Sequence, residues 1–188
     1  MPRSYMFTRE QVLDAAIELT REKGFAAVSA RTLGERLGTT SRPIFSHFEN
    51  MADVQKGIIG AANKLYRSFR EEEIASGKYV PYKANGMAYI RFAKEEKELF
   101  KLLFMRDRSE EQIKEDPEEM EALIGLIAKQ VGIDREAAKI FYLEMWAYTH
   151  GIASMIATGF YDWDEPLAGR ALTDVYEGLK QRYENGGI

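Results

Sequence analysis

The sequence predicts an all-α fold, and three observations carry that expectation. Apolar residues recur at three- and four-residue spacings along nearly the whole chain. Alternating strand patterns are scarce, and capping residues with glycine or proline stops punctuate the apolar stripes at helix-length intervals. About nine helices fit this pattern. They sort into an N-terminal helix-turn-helix unit over residues 1–51 and a helical bundle over residues 52–188.

The first helix is signed at both ends. Thr8 suits the N-cap, and Gln11 three residues on completes a capping box. Phe7 and Val12 occupy the staple positions, Val12, Ala15, Ala16 and Leu19 form the buried stripe, and Lys23-Gly24 is the stop. Ser29 caps the second helix, whose Leu33 and Leu37 share a face, and Gly38 ends it. Thr39 makes the turn, Thr40 is placed to cap a third helix, and Pro43 falls in its first turn, where a missing N–H costs little. Ile44, Phe45 and Phe48 supply that helix with an apolar face. Asn50 then caps a long helix running from about Met51 to Ala75.

Ser76-Gly77-Lys78-Tyr79-Val80-Pro81 is the clearest break in the chain. Beyond it, helices are expected over 82–95, 97–106, 117–130, 134–159 and 166–184. Pro117 and Pro166 open two of them and Asp134 caps the eighth. The acidic stretch between Arg108 and Pro117 reads as a solvated connection.

Composition narrows the function classes. Of the 188 residues, 45% are hydrophobic and 30% charged, a globular balance with ten Phe, ten Tyr and two Trp to fill a core. Cysteine is absent, which removes disulfides and cysteine-ligated zinc and fits a cytoplasmic protein. No apolar run is long enough for a membrane span, and the N-terminus lacks the apolar stretch of a secretory signal. The net charge is −4, but it is unevenly spread. Residues 1–50 hold seven basic and six acidic side chains, net +1, and the remainder is net −5. An N-terminal unit less acidic than its partner domain permits binding to double-stranded DNA.

The second helix, the Gly38 turn and the third helix form a helix-turn-helix pattern, in which the second of the two helices enters the major groove. On the third segment Ser41, Arg42, Ser46 and His47 lie between the apolar positions. Arg42 is the candidate for a base, because guanidinium matches the O6/N7 edge of guanine. Thr40 and the helix N-terminus suit a phosphate. With Thr8, Ser29, Arg31 and Pro43, these make up the expected DNA-facing set. No catalytic arrangement and no metal-ligand spacing is evident. The two histidines, His47 and His150, fall in different domains.

At these residues the sequence resembles the TetR/AcrR family of transcriptional regulators. Thr8 to Ala16 is similar to the family's first helix, Lys23-Gly24-Phe25 and Ser29 to Gly38 to its continuation, and Gly38 to Phe48 to its recognition segment. Trp146-Ala147-Tyr148-Thr149-His150-Gly151 resembles the Trp–His–Gly signature of a subset of these regulators. Two positions depart from the family pattern: Phe45 stands where tyrosine is usual, and Met51 where lysine is common. Both exchanges remove a contact to the DNA backbone.

The resemblance implies a ligand-responsive homodimeric repressor that binds a near-palindromic operator, with the eighth and ninth helices as the dimer interface. No cofactor is expected beyond an unidentified small-molecule effector. Phe92, Phe100, Phe104, Met105, Phe141, Met145, Trp146 and His150 are the candidates to line its pocket, although a stripe of this kind can equally be core. Ile152, Met155, Ile156, Leu172, Val175, Tyr176 and Leu179 either face the second subunit or close the monomer core. Two other readings stay open: a ligand-binding or dimerisation module that has lost DNA binding, and an enzyme whose N-terminal bundle only resembles a regulator.

Overall fold

A computed structural model describes residues 6–107, 109 and 117–185. Most of the acidic connection before Pro117 lies outside the described residues, as do Met1 to Tyr5. Eight α-helices are present among the described residues: α1 (Arg9–Lys23), α2 (Ala30–Arg36), α3 (Met51–Ala75), α4 (Pro81–Glu95), α5 (Lys97–Phe104), α6 (Pro117–Val131), α7 (Arg135–Ala157) and α8 (Glu165–Glu184). Two 3-10 turns, Phe25–Ala27 and Ile44–Ser46, complete the secondary structure of the described residues, and no strand occurs among them.

The cap signals at Thr8, Ser29, Asn50 and Asp134 act where the sequence puts them, and Asp164 caps a further helix. Thr8 Oγ1 accepts from the Gln11 N–H at 3.1 Å, and Gln11 Oε1 accepts from the Thr8 N–H at 2.8 Å. Ser29 caps α2 with Thr32 as its reciprocal partner. Asn50 Oδ1 accepts from the Asp53 N–H at 3.0 Å and starts α3. Asp134 and Asp164 do the same for α7 and α8 at 2.9 and 2.7 Å. Each bond satisfies an amide that the first helical turn would leave without a partner.

The nine expected helices become eight because the third segment is not an α-helix. Ile44, Ser46 and His47 donate to Ser41, Pro43 and Ile44 respectively, all at 3.2 Å and all three residues back. Thr40 caps nothing, and the 3-10 turn has no side-chain cap. Pro43 works against an α-helix here, because it biases Arg42 before it away from helical backbone.

The described residues form two compact units that do not follow a single cut along the chain. One takes residues up to Ser68 together with Glu96–Arg106; the other takes Phe69–Glu95 and the residues from Asp107 onward. In the first unit, Val12, Ala16 and Leu19 of α1, Leu33 of α2, Ile44 and Phe48 after the turn, Val54 and Ile58 of α3, and Leu99 and Phe100 of α5 are buried. In the second, α4, α6, α7 and α8 share one core around Met87, Ile90, Ile124, Ile127, Phe141, Met145, Ile152, Ile156 and Leu172. Phe141 is its centre, with the Tyr176 ring edge-on at 5.2 Å and Tyr183 at 5.9 Å. Among the described residues no helix is long and apolar enough to cross a membrane.

Candidate nucleic-acid interface

The helix-turn-helix geometry rests on two glycines. Gly38, at φ +66°, takes a backbone conformation that side-chain-bearing residues rarely adopt, and so reverses the chain after α2. Gly34, in the middle of α2, does something the sequence reading missed. A Cβ there would sit 3.0 Å from the Thr39 oxygen, 3.0 Å from the Thr40 carbonyl carbon and 3.2 Å from the Ser41 nitrogen. The turn therefore lies directly on the helix backbone, and the Thr39 N–H donates to the Gly34 carbonyl at 2.9 Å. A glycine inside a helix that precedes a two-threonine turn was the available signal.

The turn then divides its side chains. Ile44 and Phe48 are buried, whereas Arg42, Phe45 and Ser46 are exposed, as is Thr40. Phe45, expected on the apolar face, is 42% exposed instead. Arg42 and Phe45, three residues apart, are both exposed, while Ser41 and His47, three residues to either side of the buried Ile44, are half-buried. His47 is tied down: its Nε2 donates to the Phe7 carbonyl at 2.6 Å, fastening the entry of α1 to the end of the turn. With no α-helix here, the expected helix N-terminal phosphate site at Thr40 is not formed.

Charge is distributed just as selectively. Arg36 grips both oxygens of Glu22 at 2.6 and 2.8 Å, joining α2 to α1 and holding the Glu22 carboxyl below its usual range. Arg21 grips both oxygens of Glu96 at 2.8 and 2.6 Å and also pairs with Glu18. Arg31 pairs with Glu35 at 2.9 Å on the same helix. Arg9 lies 4.6 Å from the Phe48 ring centre and 3.8 Å from Asp53. Arg42 has no carboxylate partner among the described residues. Of the expected DNA-facing set, Thr8 and Ser29 serve as caps, Arg31 is ion-paired, and Thr40, Ser41, Arg42, Pro43 and Ser46 lie together on the turn.

The expected effector residues do not gather in one place. Phe100, Phe104 and Met105 belong to the first unit, where Phe104 meets Tyr66 at 5.2 Å and Phe100 at 5.1 Å. Phe92, Phe141, Met145, Trp146 and His150 belong to the second, with Phe92 buried against Phe69. Trp146 and His150 do share a face of α7. Their rings stack at 5.2 Å with 12° between planes, and the Tyr89 hydroxyl of α4 is hydrogen-bonded to His150 Nδ1 at 2.8 Å. Burial holds the His150 pKa below its ordinary value. A tyrosine cluster around Phe141, with Tyr82 5.8 Å from Tyr176, escaped the sequence reading because its members are spread over three helices. Among the described residues no group of three or more His, Asp or Glu is placed to hold a metal ion.

Two family profiles match the chain. One, described as "Bacterial regulatory proteins, tetR family", covers residues 12–56, and the other, described as "Tetracyclin repressor-like, C-terminal domain", covers residues 82–175. No curated protein matches at a significant level. Among solved structures, the chain is similar to a TetR-family member from Streptomyces coelicolor A3 (SCO1917), with TM-score 0.63 and 18% identity over 90% of this chain and 98% of that one. It is also similar to the multidrug binding protein EbrR complexed with imidazole, with TM-score 0.60 and 18% identity over 93% and 96%. A third is NalD from Pseudomonas aeruginosa, described as the secondary repressor of the MexAB-OprM multidrug efflux pump, with TM-score 0.53 and 18% identity over 90% and 94%.

Two outcomes follow from this geometry. Gly34→Ala forces the backbone of the turn off α2 and destabilises the protein by about 1–3 kcal/mol. Thermal denaturation should show the loss, and an unchanged Tm would mean the turn yields freely. For His150 the folded pKa lies below the unfolded value of about 6.5, so folding favours the neutral ring. Its contribution is complete above about pH 6.5 and is lost as pH falls through the lower, folded value. Denaturation followed from pH 7.5 to 5 should show stability dropping at the acid end, and His150→Gln should reduce the slope.

Proposed function

The chain belongs to the tetR family of bacterial regulatory proteins, DNA-binding regulators of transcription, and from that premise we propose a ligand-responsive, homodimeric, cytoplasmic repressor that works by binding rather than by turnover. The observation that carries the DNA half of this reading is the exposed, unclasped Arg42 at the tip of the helix-turn-helix. Four neighbouring arginines are tied to carboxylates. A guanidinium held clear of them is available for guanine O6 and N7. On this reading residues 1–51 read DNA, and residues 52–188 carry the effector and dimerisation functions.

The dimer half rests on α7. Ile152 and Ile156 of α7 and Leu172 of α8 are buried in the core of their own unit, and Val175, Tyr176 and Leu179 pack against it. The outward side of α7 instead carries Ile140 and Leu143, 46–47% exposed, with Ala147 beside them. That stripe is the face we assign to a second copy. Two recognition turns set about one DNA turn apart, roughly 34–36 Å, fit a near-palindromic operator. The effector acts by preferring one arrangement of the dimer over another. Tyr89, Trp146 and His150 offer it an aromatic face and a hydrogen bond.

Selection from random duplexes with the purified protein, followed by gel-shift titration, tests the reading. Arg42→Ala should weaken binding to the selected site by about 1–3 kcal/mol and relax the preference at one base position. Uniform weakening on all sequences would make Arg42 a phosphate contact instead. Leu143→Glu should yield a monomer in sedimentation and lower operator affinity about a hundredfold or more, the advantage of joining two half-sites. A dimer that survives that change would move the interface off α7.

A further inference from the structure

Phe45 is the one large apolar side chain on the outward side of the recognition turn. Its neighbours Ile44 and Phe48 are 0% and 2% exposed, and Phe45 is 42% exposed. Nothing in the packing of the first unit calls for an aromatic ring there. The turn's hydrogen bonds each span three residues, and Arg42, three residues before Phe45, is exposed as well. Two exposed side chains at that spacing reach one groove together.

A phenyl ring has no donor for a phosphate. In the major groove, the apolar group that a base edge offers is the thymine 5-methyl. We propose that Phe45 is a specificity-determining residue that packs on a thymine methyl beside the base read by Arg42. This rests on the DNA-binding reading and adds the chemistry of the site. One turn of 3-10 helix rises about 6 Å, and base pairs are stacked about 3.4 Å apart. The thymine accordingly lies within two base pairs of the guanine that Arg42 reads. Each half-site carries both, and the symmetric operator carries the pair twice.

The test uses the intact dimer and the duplex obtained by selection from random DNA. Each thymine of one half-site is replaced in turn by deoxyuridine, which lacks only the methyl group. At one position, within two base pairs of the guanine lost in the Arg42→Ala selection, wild-type binding should fall about fourfold, the worth of one buried methyl. Phe45→Ala, whose fold is checked by its thermal transition, should bind the thymine duplex about as weakly as wild type binds the deoxyuridine duplex. It should also be indifferent to the exchange. Wild-type binding that ignores every deoxyuridine overturns the proposal, and so does a Phe45→Ala variant that keeps the full sensitivity. Weaker binding by Phe45→Ala with no methyl effect anywhere would assign the ring to deoxyribose and also overturns it. Should selection enrich no sequence at all, the DNA-binding reading itself fails, which is a separate result.

Discussion

The restriction that Pro43 places on the residue before it governs how the recognition segment presents itself. An α-helix beginning near Thr40 would need helical backbone at Arg42, and the following proline disfavours it. Asn50 sets the opposite limit, because its side chain must be free to cap Asp53. Between these limits the backbone closes three-residue turns. Across this segment Ile44 and Phe48 are buried, and Arg42 and Phe45 are exposed. Gly34 makes the arrangement possible from the other side, since only a helix without a Cβ at that point can take the backbone of Thr39 to Ser41 against it.

Charge follows from the same economy of space. Two bidentate arginine–carboxylate pairs, Arg36–Glu22 and Arg21–Glu96, tie α2 to α1 and α1 to the residue that starts α5. Each pair sits at the surface, where water weakens the attraction, so their main effect is geometric: a fork of two parallel hydrogen bonds fixes orientation. Arg36–Glu22 leaves the net charge of the N-terminal fifty residues unchanged, whereas Arg21 is neutralised by Glu96 from outside them, so that weak net charge is weaker still in effect.

Much of this was legible along the chain. Caps at Thr8, Ser29, Asn50 and Asp134 depend on residues within three positions of one another, and local sequence records local bonds. Helix boundaries at Met51, Ala75 and Glu184 come from the same kind of signal. What sequence could not display was the partner of each group. The apolar Phe45 looks like core when a 3.6-residue period is assumed, and only the backbone reveals otherwise. Phe92 and Phe100 look alike as members of an aromatic stripe, yet they belong to different units. Arg31, Arg36 and Arg42 are equivalent as charges until Glu35 and Glu22 are seen to claim the first two.

On the proposed reading, a phenyl ring at position 45, where the family pattern has tyrosine, alters the balance between affinity and specificity. Contacts to phosphate contribute to every DNA sequence alike and supply nearly all non-specific binding. Contacts to base edges contribute only at the right site. On the proposed reading, an N-terminal unit whose turn lacks a tyrosine hydroxyl, and whose arginines on α1 and α2 are paired while Arg42 is left exposed near Phe45, loses more on random DNA than at its operator. The deficit in total affinity falls on each half-site, and joining two half-sites in one dimer restores it without adding any contact to random sequence. A helix-turn-helix with so small a positive charge is in this way compatible with a selective regulator, provided the second copy is present.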